Sequence, residues 1–296
     1  GIAAGGISFT YAMEARAVLG ECRLLKISTP FPFPERKAVE FLSGLDEVLC
    51  IEELSPVIER ELIYVCGKYG LDVKIYGKQT GHIALSGENS RDSVEEAVAS
   101  FLGTEREKQK AKELPPLPAR PPVLCAGCPH RASFYAVKKA MKGKKCVFCG
   151  DIGCYTLGNA MPLDMVDTCL CMGAGLGIAQ GVGHLDPEMN CFAFVGDSTF
   201  FASAITGVVN AVYNQANMTL VILDNSTTAM TGHQPHPGTG RTMMGHVVEK
   251  IDIESVLRGM GVRTVLTADP LDHEHAVEAV RTCAEGTGVR AILFRS

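Results

Sequence analysis

The sequence has no surplus of positive charge: 28 Lys and Arg stand against 33 Asp and Glu, a formal charge of −5 over 296 residues. A nucleic-acid-binding surface usually needs a basic stripe, so that class is set aside. No apolar run approaches the roughly 18 residues of a membrane-crossing helix, so no membrane partner is expected. A small secreted disulfide scaffold is not expected, because the length is wrong for one and no signal-peptide pattern opens the sequence as given. Gly1–Gly6 is glycine-rich, but no Gly-x-Gly-x-x-Gly follows, which argues against NAD binding. No repeat with a period of 20–50 residues is visible. The first residue is Gly1, not Met, and the expectation is a piece of a longer protein.

The composition, 46% hydrophobic and 21% charged, is that of a packed globular chain. At about 150 residues per domain, two domains are expected. Of the twelve cysteines, Cys22, Cys50 and Cys66 sit singly in apolar segments and read as buried free thiols. Five crowd between Cys125 and Cys154, the first hint of chemistry. A reducing cytoplasm suits all twelve.

Apolar strand-like runs alternate with helix-spaced segments throughout, which predicts an α/β fold: two domains with mainly parallel sheets flanked by helices. In residues 1–103 strands are expected at Gly1–Ser8, Leu24–Ile27, Val48–Ile51 and Asp72–Ile75. Helices are expected at Phe9–Leu19, Glu35–Leu42, Val57–Tyr69 and Ser90–Leu102. A charged run and then five prolines make 104–122 a linker. A second series fills 123–296, with strands at Cys146–Gly150, Cys191–Val195, Leu220–Leu223, Arg263–Leu266 and Ala291–Phe294. Its helices include Met172–Gly183, rich in small residues, and Phe200–Tyr213.

The strongest constellation is Gly196-Asp197-Ser198, followed after 26 residues by Asn225. Both groups end apolar strands, where parallel sheets bind ligands. Asp197 offers a carboxylate, Asn225 an amide oxygen and Thr227 a backbone carbonyl. Three such oxygens suit Mg²⁺ when a diphosphate supplies two more and water one. Gly196 would let the backbone approach the phosphates, and the amides at the start of the helix Phe200–Tyr213 would supply a positive helix end; Ser198 and Thr199 are taken as cofactor-binding residues. The pattern resembles the thiamine diphosphate motif, which begins Gly-Asp-Gly and closes on Asn. Ser198 departs from it.

The second constellation is Cys125-Ala-Gly-Cys128, with Cys154 after 25 more residues. In a cytosolic protein such a pair points to a metal, a cluster or dithiol chemistry. Cys146 and Cys149 form another Cys-x-x-Cys inside a predicted strand. Alternation sends them to opposite faces, so they read as core thiols, with zinc held by Cys125, Cys128, Cys146 and Cys149 as the rival.

Further stretches are Gly150-Asp-Ile-Gly-Cys-Tyr-Thr-Leu-Gly158, Met172-Gly173-Ala-Gly175 and Ala229-Met-Thr-Gly232-His233-Gln-Pro-His-Pro-Gly-Thr-Gly240. Together with the cysteine motif they resemble the large subunit in the indolepyruvate ferredoxin oxidoreductase family, over essentially the whole chain. The resemblance implies a middle domain followed by a thiamine diphosphate-binding domain. It also implies oxidative decarboxylation of aryl pyruvates in aromatic amino acid catabolism, with coenzyme A taking the acyl group and ferredoxin the electrons. A beta subunit of the same enzyme would be the partner. Cys125, Cys128 and Cys154 would then hold a [4Fe–4S] cluster, its fourth thiolate expected beyond the chain's end. The family's pyrimidine-activating glutamate and ferredoxin-like segment are not in this sequence. Gly173, Gly175 and Gly232 are carried over as cofactor-binding positions.

His130 reads as a proton donor or a helix-capping residue, and His233 as a catalytic group on a loop over the cofactor. His184, His246, His273 and His275 read as solvent-facing. The rivals are a non-redox thiamine diphosphate-dependent decarboxylase or synthase, which needs no cysteines, and a binding-only fragment without turnover.

Overall fold

The computed structural model describes residues 1–20, 22–106 and 115–295. Most of the charged run in the expected 104–122 linker, residues 107–114, lies outside the described residues. The chain divides into two compact units, Gly1–Leu117 and Pro118–Ser296.

The first unit carries four parallel strands, β1 (Ile2–Gly5), β2 (Leu24–Ile27), β3 (Glu47–Ile51) and β4 (Lys74–Tyr76), in the order β2-β1-β3-β4. Alternation along β3 sends Val48 and Cys50 to one face and Leu49 and Ile51 to the other. The first face is covered by α2 (Glu35–Leu42) and α3 (Val57–Tyr69). The second is covered by α1 (Ser8–Leu19) and α4 (Arg91–Leu102). Burial on both faces is why these strands read as continuous apolar runs. Strand β4 begins two residues later than expected. Lys74 pairs with Glu47, and the Lys74 N–H donates to Asp46, while Leu71 and Val73 serve the core from ahead of the strand.

The second unit has five parallel strands in the order β5-β6-β7-β9-β8. They are β5 (Cys146–Cys149), β6 (Asn190–Gly196), β7 (Met218–Asp224), β8 (Thr264–Ala268) and β9 (Val289–Arg295). Its two faces differ in size of side chain. Phe148, Phe192, Phe194 and Phe294 point toward α5 (Pro129–Ala140) and α10 (His273–Glu285). Cys149, Ala193, Val195 and Ala291 point toward α6 (Ala174–Leu185), α8 (Ile205–Tyr213) and α9 (Ile253–Gly259). The small-residue face lets the glycine-rich α6 approach closely: a Cβ at Gly175 would lie 2.6 Å from the Gly150 carbonyl oxygen. Cys146 and Cys149 contribute to opposite faces. His273 is half-buried, not solvent-facing, and stacks on Tyr135 with ring centroids 5.0 Å apart.

The helix after β6 begins earlier than expected. It starts at Asp197 as α7 (Asp197–Thr199), passes through a π-helical stretch (Phe200–Ala204) and continues as α8. Such wide turns are often found at functional sites. Among the described residues, no helix is long and apolar enough to cross a membrane.

Candidate functional site

Strands β5, β6 and β7 end side by side, and a cleft of about 160 Å³ opens at their carboxyl ends. Eight of the sequence-predicted residues line it: His130, Cys154, Gly196, Asp197, Ser198, Thr199, Asn225 and Thr227.

Asp197 is 3% exposed. Its Oδ1 accepts the Ser198 N–H at 2.7 Å. Its Oδ2 lies 3.2 Å from His236 Nε2, yet the direction is poor and neither atom makes a hydrogen bond. Burial raises the carboxyl's pKa, but the adjoining His236 ring and the Ser198 N–H outweigh it, so the group stays ionised below its usual range. A buried charged oxygen without a directed donor is costly unless a ligand completes it. A divalent cation suits that oxygen, and Asn225 and Thr227 stand on the same cleft.

The loop carrying them is anchored from below. Asp224, 7% exposed, accepts the Ser226 N–H at 3.0 Å and Arg295 Nε at 3.0 Å. Asn225 Oδ1 accepts the Thr227 N–H at 3.3 Å and keeps a second lone pair.

His130 lies inside α5, 4% exposed, with its ring edge-on to Tyr155. Burial pulls its pKa down, opposed by the charge of Asp197, and the ring is held neutral. Cys128 is the residue before α5, and its N–H donates to the Cys125 carbonyl. Arg131 ties the turn down by donating from Nε to that same carbonyl at 3.0 Å and from Nη2 to the Leu124 carbonyl. Cys154 opens a 3₁₀ turn (Cys154–Asn159). Its thiol pKa is raised, first by burial and then by Cys128 and Cys125. Among the described residues, no three His, Cys, Asp or Glu side chains are already gathered at metal-binding distance.

Several expected residues stand elsewhere. His233 is exposed, with a left-handed φ of 62°, and does not line the cleft. The loop instead turns His236 inward, fixed because its Nδ1 accepts the Gly238 N–H. Gly232, Gly173, Gly175, Cys125 and Cys128 are also outside the cleft lining. The expected phosphate-approach role for Gly196 has a nearer explanation, since a Cβ there would meet the Tyr155 ring at 2.6 Å. Sequence reading gave Asp151 and Tyr155 no role, and weighed His236 only with His233, as a His-x-x-His pair that could bind zinc, not as a neighbour of Asp197.

Residues 151–293 match the thiamine pyrophosphate enzyme, C-terminal TPP-binding domain. The whole chain aligns with indolepyruvate oxidoreductase subunit IorA of Methanothermobacter marburgensis, 40% identical over 301 residues. The chain belongs to the IorA family. It covers 48% of that relative, and 48% of the IorA of Thermococcus kodakarensis at 39% identity, so it spans about half the length of these curated family members. Subunit KorB of the 2-oxoglutarate synthase from Archaeoglobus fulgidus is 33% identical over 124 residues, 40% of this chain and 46% of that one. Among solved structures, the 2-oxoglutarate:ferredoxin oxidoreductase of Magnetococcus marinus superposes with a TM-score of 0.51 over 60% of this chain and 64% of its own. At 20% identity that likeness concerns the fold.

Proposed function

We propose that the cleft binds thiamine diphosphate through Mg²⁺ and serves the oxidative decarboxylation of an aryl pyruvate such as indolepyruvate. Coenzyme A would accept the acyl group and a ferredoxin the electrons. The observation that carries the reading is Asp197 Oδ2, buried at a strand end without a directed donor, beside Asn225 and Thr227. The family of the chain and the matched domain over 151–293 support it.

Asp197, Asn225 and the Thr227 carbonyl would hold the Mg²⁺, and the helical run that starts at Asp197 would turn its first N–H groups toward the diphosphate. When bound, thiamine diphosphate supplies the electron sink for cleaving the bond between the keto carbon and the carboxylate. The neutral His130 ring can accept a proton on the cleft wall. Leu223, Ala229 and Met230 form an apolar part of the cleft wall. Cys125, Cys128 and Cys154 would provide three thiolates of a [4Fe–4S] cluster. The beta subunit is the expected partner. Twelve unpaired thiols suit a reducing cytoplasm.

The reading is tested by calorimetric titration of the chain with thiamine diphosphate. Binding with Mg²⁺ that disappears in EDTA supports it, and no binding under either condition overturns it. Indolepyruvate-dependent reduction of an artificial acceptor by the longer subunit with its partner tests the chemistry.

A further inference from the structure

On the wall of the cleft one side chain joins three segments that leave the sheet. The Tyr155 hydroxyl lies 2.9 Å from Asp151 Oδ2, 3.0 Å from Thr199 Oγ1 and 3.2 Å from the Ile152 carbonyl. Asp151 Oδ1 accepts the Gly173 N–H at 2.8 Å. Asp151 is fully buried and Tyr155 is 6% exposed. The hydroxyl has one proton, and the carboxylate is its strongest acceptor. Its lone pairs are then free to accept from Thr199. Asp151 follows β5, Thr199 follows β6, and Gly173 precedes α6, so a single buried chain of hydrogen bonds fixes all three. The ring adds to this. It fills the space under both Gly153 and Gly196, where a Cβ would come within 2.5 and 2.6 Å of Tyr155 Cε1.

Tyr155 directly follows Cys154, and Thr199 lies two residues beyond Asp197. We propose that Tyr155 is a positioning residue that holds the Cys154 turn in register with the Asp197–Thr199 helix start. The thiol and the carboxylate face one cleft because this hydroxyl ties their backbones together. Without it, Asp151 Oδ2 is left buried and unpaired, and the 3₁₀ turn loses its only side-chain link to α7 among the described residues. The hydroxyl remains protonated, since burial and the Asp151 charge push its pKa far above the usual tyrosine range.

The test uses the reduced, EDTA-treated chain and two readouts, of which only the second rests on the proposed function. Tyr155→Phe keeps the ring and removes the hydroxyl. Alkylation of Cys154 by iodoacetamide, followed peptide by peptide, should accelerate at least about fivefold as the turn opens locally. The exposed Cys125 is the internal standard and should keep its rate. The dissociation constant for thiamine diphosphate with Mg²⁺ should rise at least about tenfold. Thr199→Val removes the other partner and should reproduce part of both effects, with no further change in the double variant. Cys283→Ser, a buried change in α10, is the control for general loosening and should leave both readouts alone. An unchanged Cys154 rate in Tyr155→Phe overturns the proposal, as does equal acceleration in Cys283→Ser. Accelerated Cys154 labelling in a chain whose wild type binds no thiamine diphosphate upholds the positioning role and removes the proposed function instead.

Discussion

Both units place a buried carboxylate just beyond the carboxyl end of a parallel strand, and they use it in opposite ways. In the first unit Glu52, following β3, accepts the N–H groups of Val57, Ile58 and Glu59 at 3.1, 2.9 and 2.9 Å. It caps the start of α3 with its own charge, so that helix end has nothing left for an external anion. In the second unit Asp197, following β6, accepts one N–H and leaves its other oxygen without a directed donor. The same topology makes a closed scaffold in one case and an open site in the other. The presence of an acidic strand end is therefore weak evidence of function. What distinguishes the two is whether the fold satisfies the carboxylate itself.

Breaking the open site should have the largest effect. Asp197→Ala should weaken Mg²⁺-dependent thiamine diphosphate binding at least about 100-fold, about 3 kcal/mol, because the diphosphate loses the cation's charged ligand. Calorimetry with saturating Mg²⁺ checks this, and unchanged affinity would remove Asp197 from the metal set. Breaking the closed site should move stability alone. Glu52→Gln should cost about 1–3 kcal/mol in urea unfolding of the first unit, since three helix N–H groups lose their charged acceptor. A loss of cofactor affinity in that variant would erase the contrast. Asn225→Ala should weaken binding by only about tenfold, because it removes a neutral oxygen.

The smallest effect sharpens the comparison through the thiols. Cys125, Cys169 and Cys171 are exposed and should be alkylated first at neutral pH, whereas Cys50, Cys149 and Cys283 are buried and should be last. Burial pushes the Cys149 and Cys283 thiols up to about 11. Because the folded pKa is raised, their contribution to stability is complete below the ordinary thiol value of 9.0 and is lost as pH rises toward about 11. Urea melts across that window should show the decline, and Cys283→Ala should make it shallower, with Cys149 keeping the remainder.

Much of this protein was legible before its structure. Strands β2 and helices α2 and α3 begin and end where their residues predicted. The reason is local: apolar alternation, proline at the helix entry and glycine at the exit of α3 are properties of neighbouring residues. The strand-end pair Asp197 and Asn225 was legible too, because adjacent parallel strands bring their ends together without further information. Boundaries slipped where tertiary contacts set them, as at β4, whose first residue is chosen by its pairing with Glu47.

The sequence by itself determined the α/β class, the strand ends that carry Asp197 and Asn225, and the split of Cys146 and Cys149 between two faces. Each follows from periodicities of 2 or 3.6 residues, which the backbone imposes at short range. Only the tertiary structure decided that His236 and not His233 turns toward Asp197, although the two are three residues apart in one loop. Likewise it alone decided that Gly196 makes room for Tyr155, and that one hydroxyl joins Asp151 to Thr199. Those contacts link residues from different strand exits, 39 to 48 positions apart in the chain. No pattern of neighbours encodes them, because they exist only once the sheet has set the exits side by side and the packing between them has filled the space.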